Sequence, residues 1–147
     1  MTIQQEGGHV SAEDHAMVQQ FYAEHMQLLD AGSVDAWAAT FTEDAVFDVP
    51  TLPEPLRGRE ALRESLRRTA KELAEAGIRR RHWHGMVAVF PQEDATLRVR
   101  CYALVFSTTL GGQPELHRVC VCEDVLVRED GRLLVRTRKV TRDDLPA

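Results

Sequence analysis

Residues 21–50, FYAEHMQLLDAGSVDAWAATFTEDAVFDVP, carry the pattern from which the rest of this chain can be read. An amphipathic pattern runs into Leu29 and Asp30, breaks at Ala31-Gly32 and resumes at Ser33, where a hydroxyl suits the start of a second short helix. Backwards from this corner, Val18, Phe21, Tyr22, Met26 and Leu29 fall on one helical stripe, with His25 inside it. Ser11 followed by Asp14 resembles a capping pattern that starts this first helix. Forwards, Val34, Trp37, Ala38 and Phe41 repeat the helical spacing. Ala45 to Val49 then reads as a strand, which Pro50, Pro53 and Pro55 end by removing backbone donors. Such a loop suits the mouth of a cavity.

A third helix is expected from about Arg59 to Ala76, with Leu62, Leu66 and Leu73 inward and Arg63, Glu64, Arg67, Arg68 and Lys71 solvated. After Gly77 the period changes to two, and strands are expected over 80–91, 96–109, 116–128 and 132–142. Turn residues separate them at Gln92-Glu93-Asp94, Leu110-Gly111-Gly112-Gln113 and Glu129-Asp130-Gly131. Helices first and hairpin-linked strands after predict an α+β domain whose antiparallel sheet has one face covered by helices. Residues 1–10 read as a flexible polar lead-in and residues 11–147 as a single domain.

The length of 147 residues suits one domain, and 44% hydrophobic with 28% charged residues is ordinary globular usage, which excludes a disordered chain. A net charge of -5 offers no cationic surplus for a polyanion, so no nucleic-acid partner is expected. No apolar run approaches the roughly 20 residues of a membrane helix, and MTIQQEGGHV lacks a signal-peptide pattern. The expected location is cytoplasmic, without a membrane partner. Cys101, Cys120 and Cys122 lack the spacing of a zinc or redox motif and are expected as reduced, buried thiols.

Chemistry concentrates in a few polar residues. Asp30 ends a helix, where the partial negative charge of the C-terminus disfavours an acid. Either it hydrogen-bonds the next helix's start or it faces a pocket as a buried carboxylate. Strand alternation places His82 and His84 on one face and Trp83 on the other. Two such histidines can bind a metal, but no third ligand at a motif spacing is visible, so no metal is expected. His82 as a general base, its tautomer fixed by a carboxylate, is chemically sensible because imidazole titrates near neutrality. Tyr102 shares a face with Arg98, Arg100, Leu104 and Phe106, and can offer its phenol to a carbonyl oxygen or serve as an amphipathic edge residue. His117, Glu123 and Asp124 on the third long strand and Arg136 and Arg138 on the fourth allow a buried arginine–carboxylate pair. No GxSxG, P-loop, GxGxxG, HExxH or EF-hand pattern occurs, which favours cofactor-free acid–base chemistry or plain binding.

Together with LRGREALRESL (56–66), RRRHWHGM (79–86) and EDVLVREDGRLLVRTRKVTRDD (123–144), the opening stretch resembles the SnoaL-like branch of the NTF2-like superfamily. Scytalone dehydratase-type and bile-acid-dehydratase-type proteins and small proteins of bacterial aromatic polyketide biosynthesis belong with it. The resemblance covers about residues 14–144. It implies an NTF2-like cone: a curved antiparallel or mixed sheet wrapped by three N-terminal helices around one deep, largely apolar pocket. It implies catalytic roles for Asp30, at the helix corner, and His82, on the following strand. Pocket-lining and substrate-binding positions are then Tyr22, His25, Trp37, His84, Tyr102 and Arg138. The tyrosine that accompanies the acid in the dehydratases is replaced here by Gln27 or Leu28, and their second strand histidine has Tyr102 and Ser107 as the nearest counterparts. The activity implied is a cofactor-independent dehydratase or cyclase acting on a polyketide-like polycyclic or aromatic ketone, in a homodimer. The alternatives are a ketosteroid-isomerase-like isomerase, an epoxide hydrolase in which Arg98 or Arg100 joins Asp30, and a non-catalytic ligand-binding or accessory protein of a biosynthetic complex.

Overall fold

Three helices precede the long strands of the sheet in chain order, as the change of period predicts. The computed structural model describes residues 8–146; residues 1–7 of the expected lead-in and Ala147 lie outside the described residues. The elements are α1 (Ala12–Asp30), α2 (Val34–Ala38), β1 (Phe41–Asp48), β2 (Leu56–Arg57), α3 (Gly58–Ala76), β3 (Ile78–Pro91), β4 (Leu97–Thr109), β5 (Pro114–Glu129) and β6 (Arg132–Arg142). Val10 packs against the core, so ordered packing begins before the Ser11 cap, within what the sequence suggested was lead-in.

The sheet order is β2-β1-β6-β5-β4-β3. Four long strands form the expected meander, but β1 joins β6 in parallel, so the sheet is mixed. The topology has a direct consequence for the site. Chain leaving β2 at one sheet edge must re-enter at β3 on the opposite edge, and α3 makes that crossing over the inner face. The inner face is the apolar row of β4, where Leu97, Val99, Cys101, Ala103 and Val105 are buried. Phe41, Leu62, Val99, Leu126 and Val135 are fully buried in one cluster with Val18 and Trp37. Side chains of this kind each contribute about 1.5–3 kcal/mol through removal from water.

Local chemistry sets the ends of the elements. Ser11 Oγ accepts the backbone N–H of Asp14 at 3.0 Å, as its position predicts. Ser33 differs from expectation: its side chain makes no capping bond to α2, while its N–H is used in closing α1. That closure is a Schellman turn in which Ser33 N–H reaches Leu28 O and Gly32 N–H reaches Leu29 O, each at 3.0 Å. Gly32 carries φ 68°, which a residue with a Cβ adopts only at a cost. At the β5–β6 hairpin Asp130 and Gly131 have φ 52° and 75°, the paired positive values of a tight two-residue turn.

Candidate active site

The Schellman turn leaves Asp30 as the last residue of α1, and its carboxylate meets β3 rather than the start of α2. Oδ1 lies 2.6 Å from His82 Nδ1, and Oδ2 accepts the backbone N–H of His82 at 3.0 Å. Two donors thus offset the unfavourable dipole at the helix end, and both fix the imidazole in place. Because the carboxylate accepts the Nδ1 proton, Nε2 is left as the basic nitrogen of neutral His82. The Asp30 side chain is 9% exposed and that of His82 23%, so the pair is sheltered yet reachable.

Asp30 and His82 stand on the wall of a cavity of about 1090 Å³, just above the roughly 300–1,000 Å³ usual for ligand pockets. Met26, Leu29, Trp37, Phe47, Leu66 and Val105 supply apolar wall, and the loop from Val49 to Leu52 borders it, as the proline-rich stretch suggested. Trp37 lines the cavity, and its Nε1–H is buried without a hydrogen-bond partner among the described residues. Arg80, His117, Arg118 and Arg142 line the same cavity; Arg80 Nη2 is 3.4 Å from His117 Nε2. Burial beside the Arg118 charge lowers the Arg80 pKa.

A second polar group lies behind the wall. Asp124 and Arg138 face each other across β5 and β6 and form a bidentate pair, with Nε to Oδ1 and Nη2 to Oδ2 both at 2.9 Å. Tyr22 Oη donates to Asp124 Oδ2 at 2.6 Å. This is the buried arginine–carboxylate pair foreseen between those strands. Burial alone would raise the Asp124 carboxyl, but the guanidinium and the hydrogen bonds outweigh it and hold the carboxyl below its usual range. Burial, reinforced by the Asp124 charge, drives the Tyr22 phenol well above its usual pKa.

Of the sequence-predicted residues, Asp30, His82, Trp37, His84 and Arg138 line the cavity. Tyr22 and His25 require correction. Both are buried inward of the wall: Tyr22 is held by Asp124, and His25 Nδ1 is 2.7 Å from Thr40 Oγ1, whose hydroxyl donates to Trp37 O. Burial and the Arg138 charge keep His25 neutral by lowering its pKa well below the usual value. Tyr102 is also corrected: it is 49% exposed on the outer face, because the apolar residues that alternate with it take the inner one. Arg98 and Arg100 share that outer side, Arg100 reaching Glu123 at 3.5 Å, so neither joins Asp30 as an epoxide hydrolase would require.

His84 has a setting that the sequence did not reveal. Its Nδ1 is 3.6 Å from Cys101 Sγ, and Cys101 is the direct cross-strand partner of Cys122. Burial and the Arg138 charge lower its pKa to about 3, leaving it neutral. The three cysteines are free thiols, as expected. Among the described residues, no helix is long and apolar enough to cross a membrane.

The same fold recurs in solved proteins. Aln2 from a Streptomyces species is 34% identical with TM-score 0.86, over 93% of this chain and 96% of that one. ActVI-ORFA from Streptomyces coelicolor is 32% identical with TM-score 0.86, over 93% and 100%. A protein from Catenulispora acidiphila, determined in complex with S-DNPA, is 37% identical with TM-score 0.78, over 91% and 96%. The fold is accordingly NTF2-like, as the resemblance implied. No curated protein matches the chain. The SnoaL-like domain model matches residues 10–139, and the chain therefore belongs to the SnoaL-like family.

Proposed function

We propose that the protein is a cofactor-independent dehydratase or cyclase acting on a polyketide-like polycyclic or aromatic ketone. The observation that carries this reading is the Asp30–His82 contact of 2.6 Å on the wall of a large, partly apolar cavity. Membership of the SnoaL-like family supports it at the level of a cyclase- or dehydratase-type role. In the proposed step, His82 Nε2 takes a proton α to a substrate carbonyl while Asp30 holds the ring and stabilises the imidazolium. The electron pair released forms the enolate. Collapse of the enolate then expels a β-hydroxyl, protonated by imidazolium, as water, or closes a ring onto an electrophilic carbon. General acid–base help of this kind is worth roughly 10² to 10⁴ in rate, with orientation in the cavity adding to it.

The same dyad would serve an isomerase, which returns the proton elsewhere on the substrate and releases no water. Mass spectrometry of enolisable polycyclic hydroxyketones incubated with wild type, His82→Ala and Asp30→Asn separates these outcomes. Loss of one water, or a ring-closed isomer, that depends on both residues supports the proposal. Turnover undiminished in His82→Ala contradicts it, and ligand binding without any turnover points to the non-catalytic accessory role.

The homodimer belongs to the same proposal. Trp83, Leu104 and Val119 are aligned across β3, β4 and β5 on the outer face, with Tyr102 and Val121 in the next row. Trp83 is 63% exposed and Tyr102 49%. An apolar face of this sort is the surface on which a second copy would dock.

A further inference from the structure

His84, Cys101 and Cys122 sit on three adjacent strands, β3, β4 and β5, on the inner face of the sheet. Their candidate ligand atoms all lie within 4.8 Å of one another, and both cysteines are 1% exposed. The separation of 3.6 Å between His84 Nδ1 and Cys101 Sγ is already suitable for a shared ion. Tetrahedral zinc with bonds of about 2.3 Å to sulfur and about 2.0–2.1 Å to nitrogen sets adjacent sulfur and nitrogen ligands roughly 3.6 Å apart. The register explains why the sequence concealed this group. Cys101 pairs directly with Cys122, while His84 pairs with Ala103, one inward position along β4. Proximity comes from the sheet, so no spaced ligand motif exists to be read.

We propose that His84, Cys101 and Cys122 form a binding site for a thiophilic d10 divalent cation, with zinc as its representative. The site is distinct from the Asp30–His82 dyad and holds whether or not that dyad is catalytic. On binding, the two S–H protons are released to solvent and two metal–sulfur bonds form, while the imidazole contributes its Nδ1 lone pair. No electron is transferred. Two thiolates balance the ion's charge, and the neighbouring Asp124–Arg138 pair remains internally balanced, so the buried site gains no net charge. Cys122 Sγ now donates to Asp124 Oδ1 at 3.3 Å; deprotonation ends that bond and leaves a carboxylate oxygen beside the ion. The burial that keeps imidazole neutral also keeps it ready to coordinate. Because His84 lines the cavity, the ion would tie three strands together immediately behind the ligand-facing wall.

The test uses untagged full-length protein, reduced, stripped with chelator and titrated with Zn²⁺ against a chromophoric competitor, then with Co²⁺ for its spectrum. One ion per chain, two protons released, and a cobalt spectrum with sulfur charge-transfer and strong tetrahedral bands is the expected result. Cys101→Ala and Cys122→Ala, checked for a cooperative melting transition, should weaken binding on the order of 100-fold, while Cys120→Ala should leave it unchanged. Binding equally tight in the Cys101→Ala/Cys122→Ala double variant would overturn the proposal. So would a wild-type cobalt spectrum of octahedral form without sulfur bands, which needs no variant to fold.

Discussion

Replacing Arg138 by Met keeps most of the side chain's volume but removes the only cation hydrogen-bonded to Asp124 among the described residues. Asp124 is 1% exposed and Arg138 4%, so solvent cannot replace the lost partner. Breaking a buried pair from one side costs about 3–5 kcal/mol, because a desolvated charge is stranded. At roughly 2–4 °C per kcal/mol for a domain near this size, the midpoint should fall on the order of 10 °C. The pH response changes as well. In wild type the depressed Asp124 pKa contributes stability above the unfolded carboxyl pKa of about 3.9, and that contribution is lost as pH falls through the folded value. In Arg138→Met both contributions of the guanidinium are gone and burial, the largest influence, is opposed by the Tyr22 hydrogen bond and by His84, so the carboxyl pKa rises relative to wild type and the charged form gains less from folding. The variant's deficit should therefore shrink as pH is lowered from 7 towards the carboxyl range. Removing the whole group in Tyr22→Phe/Asp124→Leu/Arg138→Met should recover most of the loss, since apolar replacement of such pairs is often neutral or stabilising. Urea unfolding followed by tryptophan fluorescence, which Trp37 in the core supplies, measures each value. A loss below about 0.5 kcal/mol in Arg138→Met, the size of ordinary surface changes, would show that no stranded charge results. A triple variant no more stable than the single one would do the same.

Other expectations are narrower. Tyr22→Phe should cost about 1.5–3 kcal/mol in the same unfolding assay, the worth of a hydrogen bond to a charged acceptor. His84 gives an acid-sensitive slope: with its pKa lowered to about 3, stability should fall by about 1.4 kcal/mol per pH unit as pH drops from roughly 6.5, and His84→Gln should flatten that slope. Leu62→Ala, at a fully buried site on α3, should destabilise by about 2–5 kcal/mol without changing the mass in solution. Trp83→Arg should convert a dimer to monomer by light scattering while leaving the melting of the monomer cooperative; a wild type that is already monomeric ends the dimer proposal.

The helices, the meander and the Asp-Gly hairpin were legible because each is written in local chemistry: stripes, caps and turn residues. The pairing of β1 with β6 was not, since a parallel contact between distant segments leaves no local mark. The two-residue β2 leaves no mark in the sequence because its pairing with β1 alone makes it a strand. β1 begins at Phe41 rather than Ala45 because Phe41 and Thr42 are buried where the helix corner meets the sheet, a tertiary effect. At the site, the unfavourable place of Asp30 and the family resemblance together led to His82. Tyr102 lies on the outer face because the apolar residues of β4 that alternate with it take the inner row, a preference already visible in the alternation. His84's cysteine neighbours were hidden by cross-strand register, and Trp37's unpartnered N–H by its dependence on packing.

The proposed chemistry stands or falls on Asp30 making His82 a base towards a carbon acid bound in the cavity. Incubating an enolisable polycyclic ketone in deuterated water and following deuterium entry at its α-carbon tests that proton transfer without requiring the final product. Exchange should be catalysed by wild type, lost in His82→Ala and strongly reduced in Asp30→Asn, with all three proteins still folded and binding the ketone. Exchange by His82→Ala at the wild-type rate, or none by a wild type that demonstrably binds the ketone, would be incompatible with that role for the dyad.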